Sequence, residues 1–317
     1  MKAKAIIQHA INSAVPERRL DRCLVLSAAL MACLLPGPAI AAECDLPEAF
    51  EHETHEGVRT ILGDGSALAF ATNMRVNTDG APRSYHPDDP AGATLALNKM
   101  CHGANAKTVF GRTVNYEKCN RFNRLFEKAR DANWTGWNKP KIEFFAVATK
   151  PDGTPCINTE APNEGYFVST TSVLADASIT DVCDQKRYLD STGVPFAIYP
   201  PTDEFTARGL GRGDLAAFYN PKENLLKFAL IGDAGPKLGL AEGSIALAAQ
   251  LQKDPTPPAN VADVYGFGVP EVFGVFFPNA SLAAPYTADT ITAGAKGVFE
   301  EWGGLDRLIA CGEALPF

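Results

Sequence analysis

The sequence predicts a single α+β domain centred on a β-barrel, with flanking helices and three disulfides. The strand prediction depends on short β-prone segments after residue 140, each bounded by Gly, Pro, Asn or Asp. The 27 Gly and 23 Pro residues also favour a fold rich in turns and strands over a helical bundle. Since no linker separates the strands, we expect one domain over residues 42–317.

Residues 1–41 have the three parts of a secretory signal peptide. Basic side chains end at Arg22, an apolar run covers residues 23–35, and Ala39-Ile40-Ala41 supplies the small residues of a cleavage site. A membrane anchor is the alternative, but a spanning helix needs about 20 apolar residues. Leu30-Met31-Ala32-Cys33 also leaves a lipid anchor open. We therefore expect cleavage near Ala41 and a mature chain that is periplasmic or secreted.

Six of the eight cysteines follow the predicted signal peptide. An even number in an exported protein indicates three disulfides, although the sequence leaves their pairing open. No C-x-x-C or C-x-x-H spacing indicates a metal site. The six residues are Cys44, Cys101, Cys119, Cys156, Cys183 and Cys311.

The chain carries a formal charge of −8, which becomes −11 after residue 41 because five Lys/Arg and two acidic residues precede that point. An acidic balance disfavours nucleic-acid binding, which depends on basic side chains that neutralise phosphates. Two other motifs lack the required pattern. Residues 52–56 are not His-Glu-x-x-His, and the Gly-rich residues 209–213 precede a strand instead of a helix.

The elements follow from hydrophobic spacing and from turn residues. Residues 77–92 are turn-rich, and Asn220-Pro221-Lys222-Glu223-Asn224 predicts the turn of an antiparallel hairpin. Gly303-Gly304 is a candidate break in the last helix. Helices are expected over residues 116–132, 241–252 and 296–311. Strands are expected over residues 61–76 (one or two), 141–149, 165–173, 194–199, 214–220, 226–231 and 271–277.

Two acidic residues within residues 187–250 have settings that favour catalysis. Asp233 follows an apolar strand and has glycines on both sides, whereas Glu242 opens an apolar helix pattern after a Gly-rich loop. Apolar surroundings raise the pKa of a carboxyl group, so two carboxyls in different environments can act as an acid and a base. The glycine-rich loop between them can place both in one cleft. A turn-forming Asp and a helix-start Glu are the alternative interpretation.

The same block resembles the core of the glycoside hydrolase family 75 chitosanases. The matching pieces are the Val194-Pro195-Phe196 strand with Pro200, Gly213-Asp214, Gly232-Asp233-x-Gly235-Pro236 and Gly239-x-x-Glu242-Gly243-Ser244. Residues 79–87 and 271–278 resemble an early motif and a late strand, so that the resemblance covers residues 70–310 in patches. One departure is Asp233-Ala234-Gly235, where Asp-Thr-Gly is common, and residues 251–268 do not align.

The resemblance implies an enzyme that cleaves internal β-1,4 bonds of chitosan with inversion of configuration. By position, Glu242 would be the general acid and Asp233 the general base, with water as the nucleophile. No metal or organic cofactor is needed for this reaction. The carboxyls of an inverting pair stand about 6.5–9.5 Å apart, which leaves room for the water.

The polysaccharide is then the expected partner, and an acidic cleft would concentrate a polymer of protonated amines. Each candidate for substrate contact has an alternative role as a turn, cap or packing residue. Two other functions stay open: a non-catalytic exported carbohydrate-binding protein of the same fold, and a peptidoglycan-directed hydrolase. The candidates are the carboxylates Asp79, Asp190 and Asp214 and the rings of Tyr85, His86, Trp134 and Trp137.

Overall fold

The computed structural model describes residues 43–134 and 140–316. The predicted signal peptide over residues 1–41 and the predicted stacking residue Trp137 lie outside these residues. Within them, no helix combines the length and the apolar character that are required to cross a bilayer.

The described chain begins with four strands and ends with two helices. The strands are β1 (Glu48–Thr54), β2 (Gly57–Gly63), β3 (Leu68–Met74), β4 (Val76–Asn77), β5 (Ala104–Lys107), β6 (Thr113–Val114), β7 (Lys141–Phe144), β8 (Phe196–Tyr199), β9 (Asp214–Asn220), β10 (Leu225–Ala234), β11 (Gly243–Ser244) and β12 (Val269–Ser281). The helices are α1 (Cys119–Asp131), α2 (Asp203–Thr206), α3 (Ile245–Gln250), α4 (Val261–Gly266), α5 (Ala288–Trp302) and α6 (Gly304–Glu313).

A curled nine-stranded sheet forms a half-barrel at the centre, in the order β1-β2-β3-β12-β9-β10-β8-β11-β4. A second sheet has the order β6-β5-β7. The expected α+β fold is therefore confirmed, with a half-barrel as its β-structure. The expected hairpin is also confirmed, because β9 and β10 pair antiparallel from Asn220 opposite Leu225.

Both faces of the large sheet are buried in its centre. Successive side chains of a strand point to opposite faces, and β9 divides accordingly: Ala216 and Phe218 join one hydrophobic cluster, whereas Leu215, Ala217 and Tyr219 join the other. Helices α5 and α6 cover the second face. This two-sided burial explains why β9 is apolar along its whole length rather than alternating.

Three pairs of cysteines lie at disulfide distance, as the sequence predicts. The pairs are Cys44–Cys311, Cys101–Cys119 and Cys156–Cys183. The first pair joins the start of the described chain to α6 across 267 residues of sequence. In the chain-entropy account, closing so long a loop restricts the unfolded chain more than the two shorter loops do.

Several predicted elements differ from the observed ones. Residues 165–173 form isolated bridges instead of a strand, because their amides pair with three different segments: Phe167 with Tyr85, Val168 with Cys156 and Thr170 with Ala146. The segment is therefore buried without belonging to a ladder.

The helix expected over residues 241–252 begins only at Ile245. The residues before it pair with β4 and β8 as strand β11, and the Ser244 hydroxyl caps the helix by accepting the Leu247 amide. The closing helix is broken at Gly303, whose φ of 124° suits glycine alone. That break was expected.

Candidate active site

A cleft of about 1150 Å³ opens beside the ends of β3, β4 and β10. Its walls hold the carboxyl groups of Asp79, Asp233 and Glu242. All three side chains are half-buried, so that they reach the cleft and are also partly desolvated. The cleft thus brings together the two carboxyls that the sequence predicts as catalytic and one that it predicts as substrate-binding.

Asp233 lies near the end of β10, beside Ile198 of the parallel strand β8, directly after a bulge. Gly232 permits this packing, because a Cβ at that position would lie 2.7 Å from Cγ of Phe196. The Asp233 carboxylate accepts hydrogen bonds from the Ser172 hydroxyl and, at 2.8 Å, from the Ala234 amide. Burial raises the pKa of Asp233 to about 6, although hydrogen bonds from the backbone amides of Ala234 and Ser172 and the charge of Arg212 lower it.

Glu242 lies on the opposite side of β8. Its carbonyl accepts the Ile198 amide at 2.9 Å, and the next amide, Gly243 N–H, donates to the Arg75 carbonyl at 2.8 Å. Burial raises the pKa of Glu242, and the charge of Asp233 raises it further. A hydrogen bond from the Asn77 side chain and the charge of Arg75 act in the opposite direction.

A single strand, β8, therefore lies between Asp233 and Glu242 in the sheet. Adjacent strands lie about 4.8 Å apart, so the backbones of Asp233 and Glu242 lie roughly 10 Å apart across Ile198. Both side chains enter the same cleft. Asp233 and Glu242 are only nine residues apart in sequence. They lie on opposite sides of β8 because the loop between β10 and β11 crosses that strand.

Asp79 follows β4, and its pKa is raised further than that of Asp233. The buried hydroxyl of Tyr85 donates to Asp79 Oδ1 at 2.6 Å, and Tyr85 Oη accepts from Asn98 Nδ2 at 3.1 Å. Burial raises the pKa of Asp79 to about 8, and the charges of Asp233 and Glu242 add to this effect. Three carboxyls in one cleft cannot all ionise at low cost, so Asp79 keeps its proton at neutral pH.

The other expected substrate contacts do not line this cleft. Tyr85 is fully buried behind Asp79, and the His86 ring packs edge-on against Tyr166 at 4.7 Å between centroids. Asp190 accepts the amide and hydroxyl of Thr192, and buried Asp214 accepts the Gly211 amide. Both carboxylates thus have the turn-forming role that was the alternative.

Trp134 also packs inside the protein. Its ring contacts the aromatic rings of Phe126, Phe144 and Phe167, with centroids 5.3–6.1 Å apart. It belongs to the hydrophobic cluster beneath the three-stranded sheet, so its alternative role as a packing residue is the observed one.

Three aromatic residues that the sequence did not single out line the cleft instead. Tyr116, Phe145 and Tyr265 have 57%, 59% and 61% of their surface exposed. Aromatic side chains with this much exposure inside a cleft are typical of ligand contact. Sequence patterns could not identify them, because an isolated ring has the same local signature whether it is buried or exposed.

Two charged side chains at the cleft wall, Arg75 and Glu56, form an ion pair with each other. Arg75 contacts Glu56 at 3.1 Å, and Asn73 donates to the same carboxylate at 2.6 Å. The three carboxyls of Asp79, Asp233 and Glu242 have no such ion pair among the described residues.

Among the described residues, one group of side chains has the spacing of metal ligands, but two of its members are paired cysteines. Cys101, His102 and Cys119 have possible ligand atoms within 4.8 Å of one another. Both cysteines belong to the Cys101–Cys119 pair, so that His102 alone offers a free donor atom.

No protein-family model matches the chain, and no curated protein matches it either. Function is therefore inferred from the cleft, its charges and its exposed rings.

Proposed function

We propose that this protein is a secreted, endo-acting glycoside hydrolase that cleaves β-1,4-linked glucosamine polymer with inversion, as family 75 chitosanases do. One observation carries the proposal: Asp233 and Glu242 flank β8, enter one cleft and have raised pKa values. Inverting hydrolysis of a glycosidic bond requires two partly desolvated carboxyls in one cleft, with room for a water molecule between them.

In this reaction, Glu242 donates its proton to the glycosidic oxygen as the bond from that oxygen to the anomeric carbon breaks. Asp233 accepts a proton from water, whose oxygen attacks the same carbon from the opposite face. The water supplies the new hydroxyl group of one product. The proton from Glu242 completes the hydroxyl group of the other.

The surroundings support these two roles. Asp233 accepts hydrogen bonds from Ser172 and Ala234, which stabilise its ionised form and suit a base. Glu242 is desolvated and faces the charge of Asp233, which together favour the protonated form that a general acid needs. We expect activity to rise as Asp233 ionises near pH 6 and to fall as Glu242 loses its proton.

Charge and exposed rings support a polymer of amino sugars as substrate. In the proposed mechanism the cleft carries the ionised carboxylate of Asp233, and the chain after residue 41 has a net charge of −11. Such a field attracts protonated amines. The exposed rings at the cleft can stack on the apolar faces of several sugar units. They are Tyr116, Phe145 and Tyr265.

Export from the cytoplasm is part of the proposal. Three cysteine pairs at disulfide distance are compatible with an oxidising compartment. The signal-peptide pattern of residues 1–41 adds a route to the periplasm or medium.

The test is an assay of reducing ends released from chitosan oligomers by Asp233→Asn and Glu242→Gln. We expect each variant to lose about 10²- to 10⁴-fold in kcat, because each removes one proton-transfer group. The matched controls are Asp254→Asn and Glu164→Gln, which change exposed carboxyls away from the cleft. Near wild-type rates for both cleft variants would overturn the assignment.

Two further measurements separate the alternatives. Proton NMR of the first product should show the α-anomer, and a β-anomer would contradict inversion. Saturable binding of oligomers without any product would indicate the carbohydrate-binding protein, and turnover of purified peptidoglycan alone would indicate the cell-wall hydrolase.

A further inference from the structure

The segment from β5 to β7, residues 104–144, has the opposite charge from the rest of the protein. It contains nine Lys/Arg and four Asp/Glu residues, which give it a formal charge of +5. Because the chain after residue 41 carries −11 in total, its other residues carry −16. Charge that is separated in this way turns the positive part of a protein toward an anionic partner. We refer to residues 104–144 as the basic segment.

Most basic side chains of the basic segment are exposed and form no ion pair. Lys107, Arg130 and Lys141 contact acidic side chains at 2.7–3.5 Å. Five others form no ion pair with any residue that the structure describes. Together with exposed Glu117 and Glu127, they leave an excess of three positive charges on this surface. The five are Arg112, Lys118, Arg121, Arg124 and Lys128.

Four of these five side chains follow one side of α1. Lys118 directly precedes the helix, and the other three follow at intervals of three or four residues, which is the spacing of neighbours on a helix surface. The buried side of α1 is apolar and consists of Phe122, Phe126 and Ala129. The helix is therefore held by its apolar side and presents a basic side to solvent.

The turn between β5 and β6 exposes two apolar side chains next to Arg112. Among the large hydrophobic residues that the structure describes, Phe110 is the most exposed, at 90%, and Val109 is 55% exposed. The turn has a defined conformation, because the Thr108 amide donates to the Arg112 carbonyl at 2.9 Å and the Gly111 amide donates to the Thr108 carbonyl at 2.8 Å. These hydrogen bonds hold both apolar side chains away from the core.

The β5–β6 hairpin and α1 form one packed unit. Val114 on β6 shares a buried hydrophobic cluster with Phe122 and Phe126 of α1. Only five residues connect Arg112 in the turn to Lys118 at the start of the helix. The apolar turn and the basic side of α1 therefore belong to the same rigid part of the molecule.

We propose that the basic segment docks on the surface of a phospholipid bilayer with anionic headgroups. The five exposed basic side chains contact the phosphate groups, and Val109 and Phe110 enter the apolar layer beneath them. A bilayer is favoured over nucleic acid or an acidic protein because it combines dense negative charge with an adjoining apolar phase. Docking of this kind requires no membrane-spanning helix, and the inference does not depend on the proposed hydrolase activity.

The test is cosedimentation of the purified protein with vesicles of phosphatidylcholine alone and of phosphatidylcholine mixed with an equal amount of phosphatidylglycerol. We expect binding only to the mixed vesicles at about 0.1 M ionic strength. The protein should be released at about 1 M, where the screening length falls to about 3 Å. Absence of binding to the mixed vesicles, or equal binding to both kinds, would overturn the proposal.

The triple variant Arg121→Gln/Arg124→Gln/Lys128→Gln removes three positive charges from α1. Each basic residue near an anionic surface contributes about fivefold to binding, so the partition coefficient should fall about 100-fold. The matched control removes three exposed charges outside the basic segment and should keep most of the binding. It is Lys186→Gln/Lys222→Gln/Lys296→Gln. Circular dichroism establishes that both proteins are folded, and equal losses in the two would contradict the proposed surface.

Phe110→Ala tests the apolar contact without changing the helix. Binding to the mixed vesicles should fall about 10-fold, while its salt dependence stays the same because all the charges remain. Phe110→Trp gives a readout that is independent of activity: its fluorescence should shift to shorter wavelength when mixed vesicles are added. Unchanged binding in Phe110→Ala, or an unshifted spectrum in Phe110→Trp, would show that the turn does not enter the bilayer.

Two other partners would give different results. Tighter binding to double-stranded DNA than to the mixed vesicles would identify a nucleic-acid surface. A dimer in analytical ultracentrifugation that the triple variant abolishes would identify the acidic part of a second copy as the partner. Either result would overturn the assignment to a bilayer.

Discussion

The nine-stranded and the three-stranded sheets contribute differently to the cleft. The large sheet carries Asp233 and Glu242 on either side of β8, where backbone hydrogen bonds hold both residues. The region of the small sheet contributes exposed rings, Tyr116 before α1 and Phe145 after β7. Proton transfer requires fixed, desolvated carboxyls, whereas sugar stacking requires accessible surface. Under the proposed function, the side of the cleft with the two carboxyls would be its catalytic wall, and the side with the exposed rings would be its binding wall.

The two walls also differ in what maintains them. The catalytic wall depends on close backbone packing, as at Gly232, where any side chain would collide with Phe196. The binding wall rests on an aromatic cluster around Phe126 and Phe167 and on the Cys101–Cys119 pair. Substitutions in the first region should alter rate, pH dependence and stability, and substitutions in the second should alter affinity.

The largest of these effects is expected for stability at Asp79. Its pKa is raised to about 8 in the folded protein, so the folded state keeps a proton that the unfolded state releases near pH 4. The fold therefore loses stability as pH rises between these two values. Asp79→Asn removes this loss and should add about 1–3 kcal/mol at pH 8, less than the full linkage value because the carboxyl is partly solvated.

Urea unfolding at pH 4 and pH 8 tests this expectation. The gain of Asp79→Asn over wild type should be near zero at pH 4 and greatest at pH 8. Asp254→Asn, an exposed carboxyl, serves as the control and should show no such trend. A gain that is equal at both pH values would contradict the account of Asp79 as a carboxyl kept neutral.

The binding wall should respond in affinity. Phe145→Ala and Tyr116→Ala each remove an exposed ring from the cleft, so KM for long oligomers should rise about 2- to 10-fold, while kcat stays near wild type. Phe110→Ala is the matched control, because this ring is 90% exposed but lies outside the cleft. If the KM values of the two cleft variants equal that of Phe110→Ala, the exposed rings do not bind substrate, and the proposed difference between the two walls is wrong.

The smallest effect is expected at Ser172, whose hydroxyl donates to the Asp233 carboxylate. Ser172→Ala removes the hydroxyl donor but keeps the backbone amide of residue 172, which also lowers the pKa of Asp233, so that pKa should rise only slightly above the wild-type value of about 6. The acid limb of kcat/KM should therefore move upward by less than about one pH unit. Ser178→Ala removes a comparable hydroxyl from the exposed Asp176 turn and should leave that limb in place. A downward shift in Ser172→Ala would contradict this role.

Sequence patterns predicted the elements well where burial is periodic or two-sided. The helix over residues 116–132 and strand β9 illustrate this. Sequence patterns failed over residues 165–173, because an apolar segment can be buried by separate contacts with three neighbouring segments as well as by pairing in a sheet. Sequence patterns also placed the start of α3 too early, because the residues before the helix pair with β4 and β8 as strand β11.

The candidate site was predicted in part. Asp233, Glu242 and Asp79 enter one cleft as expected, whereas Asp190 and Asp214 are engaged in local turns. Acidic residues in turns have the same short-range signature whether they face solvent, substrate or their own backbone. Only the position of the cleft separates these cases.

Residue identity alone accounts for the acidic charge, the even number of cysteines after residue 41 and the two carboxyls in apolar settings. Tertiary structure decided which cysteines pair, that Tyr85 lies behind Asp79, and that Asp233 and Glu242 lie on either side of β8. The physical reason is that local propensity and charge act within a few residues along the chain. The desolvation of Asp233 and Glu242 depends on the pairing of strands that are distant in sequence, such as β8 with β10 and β4 with β11.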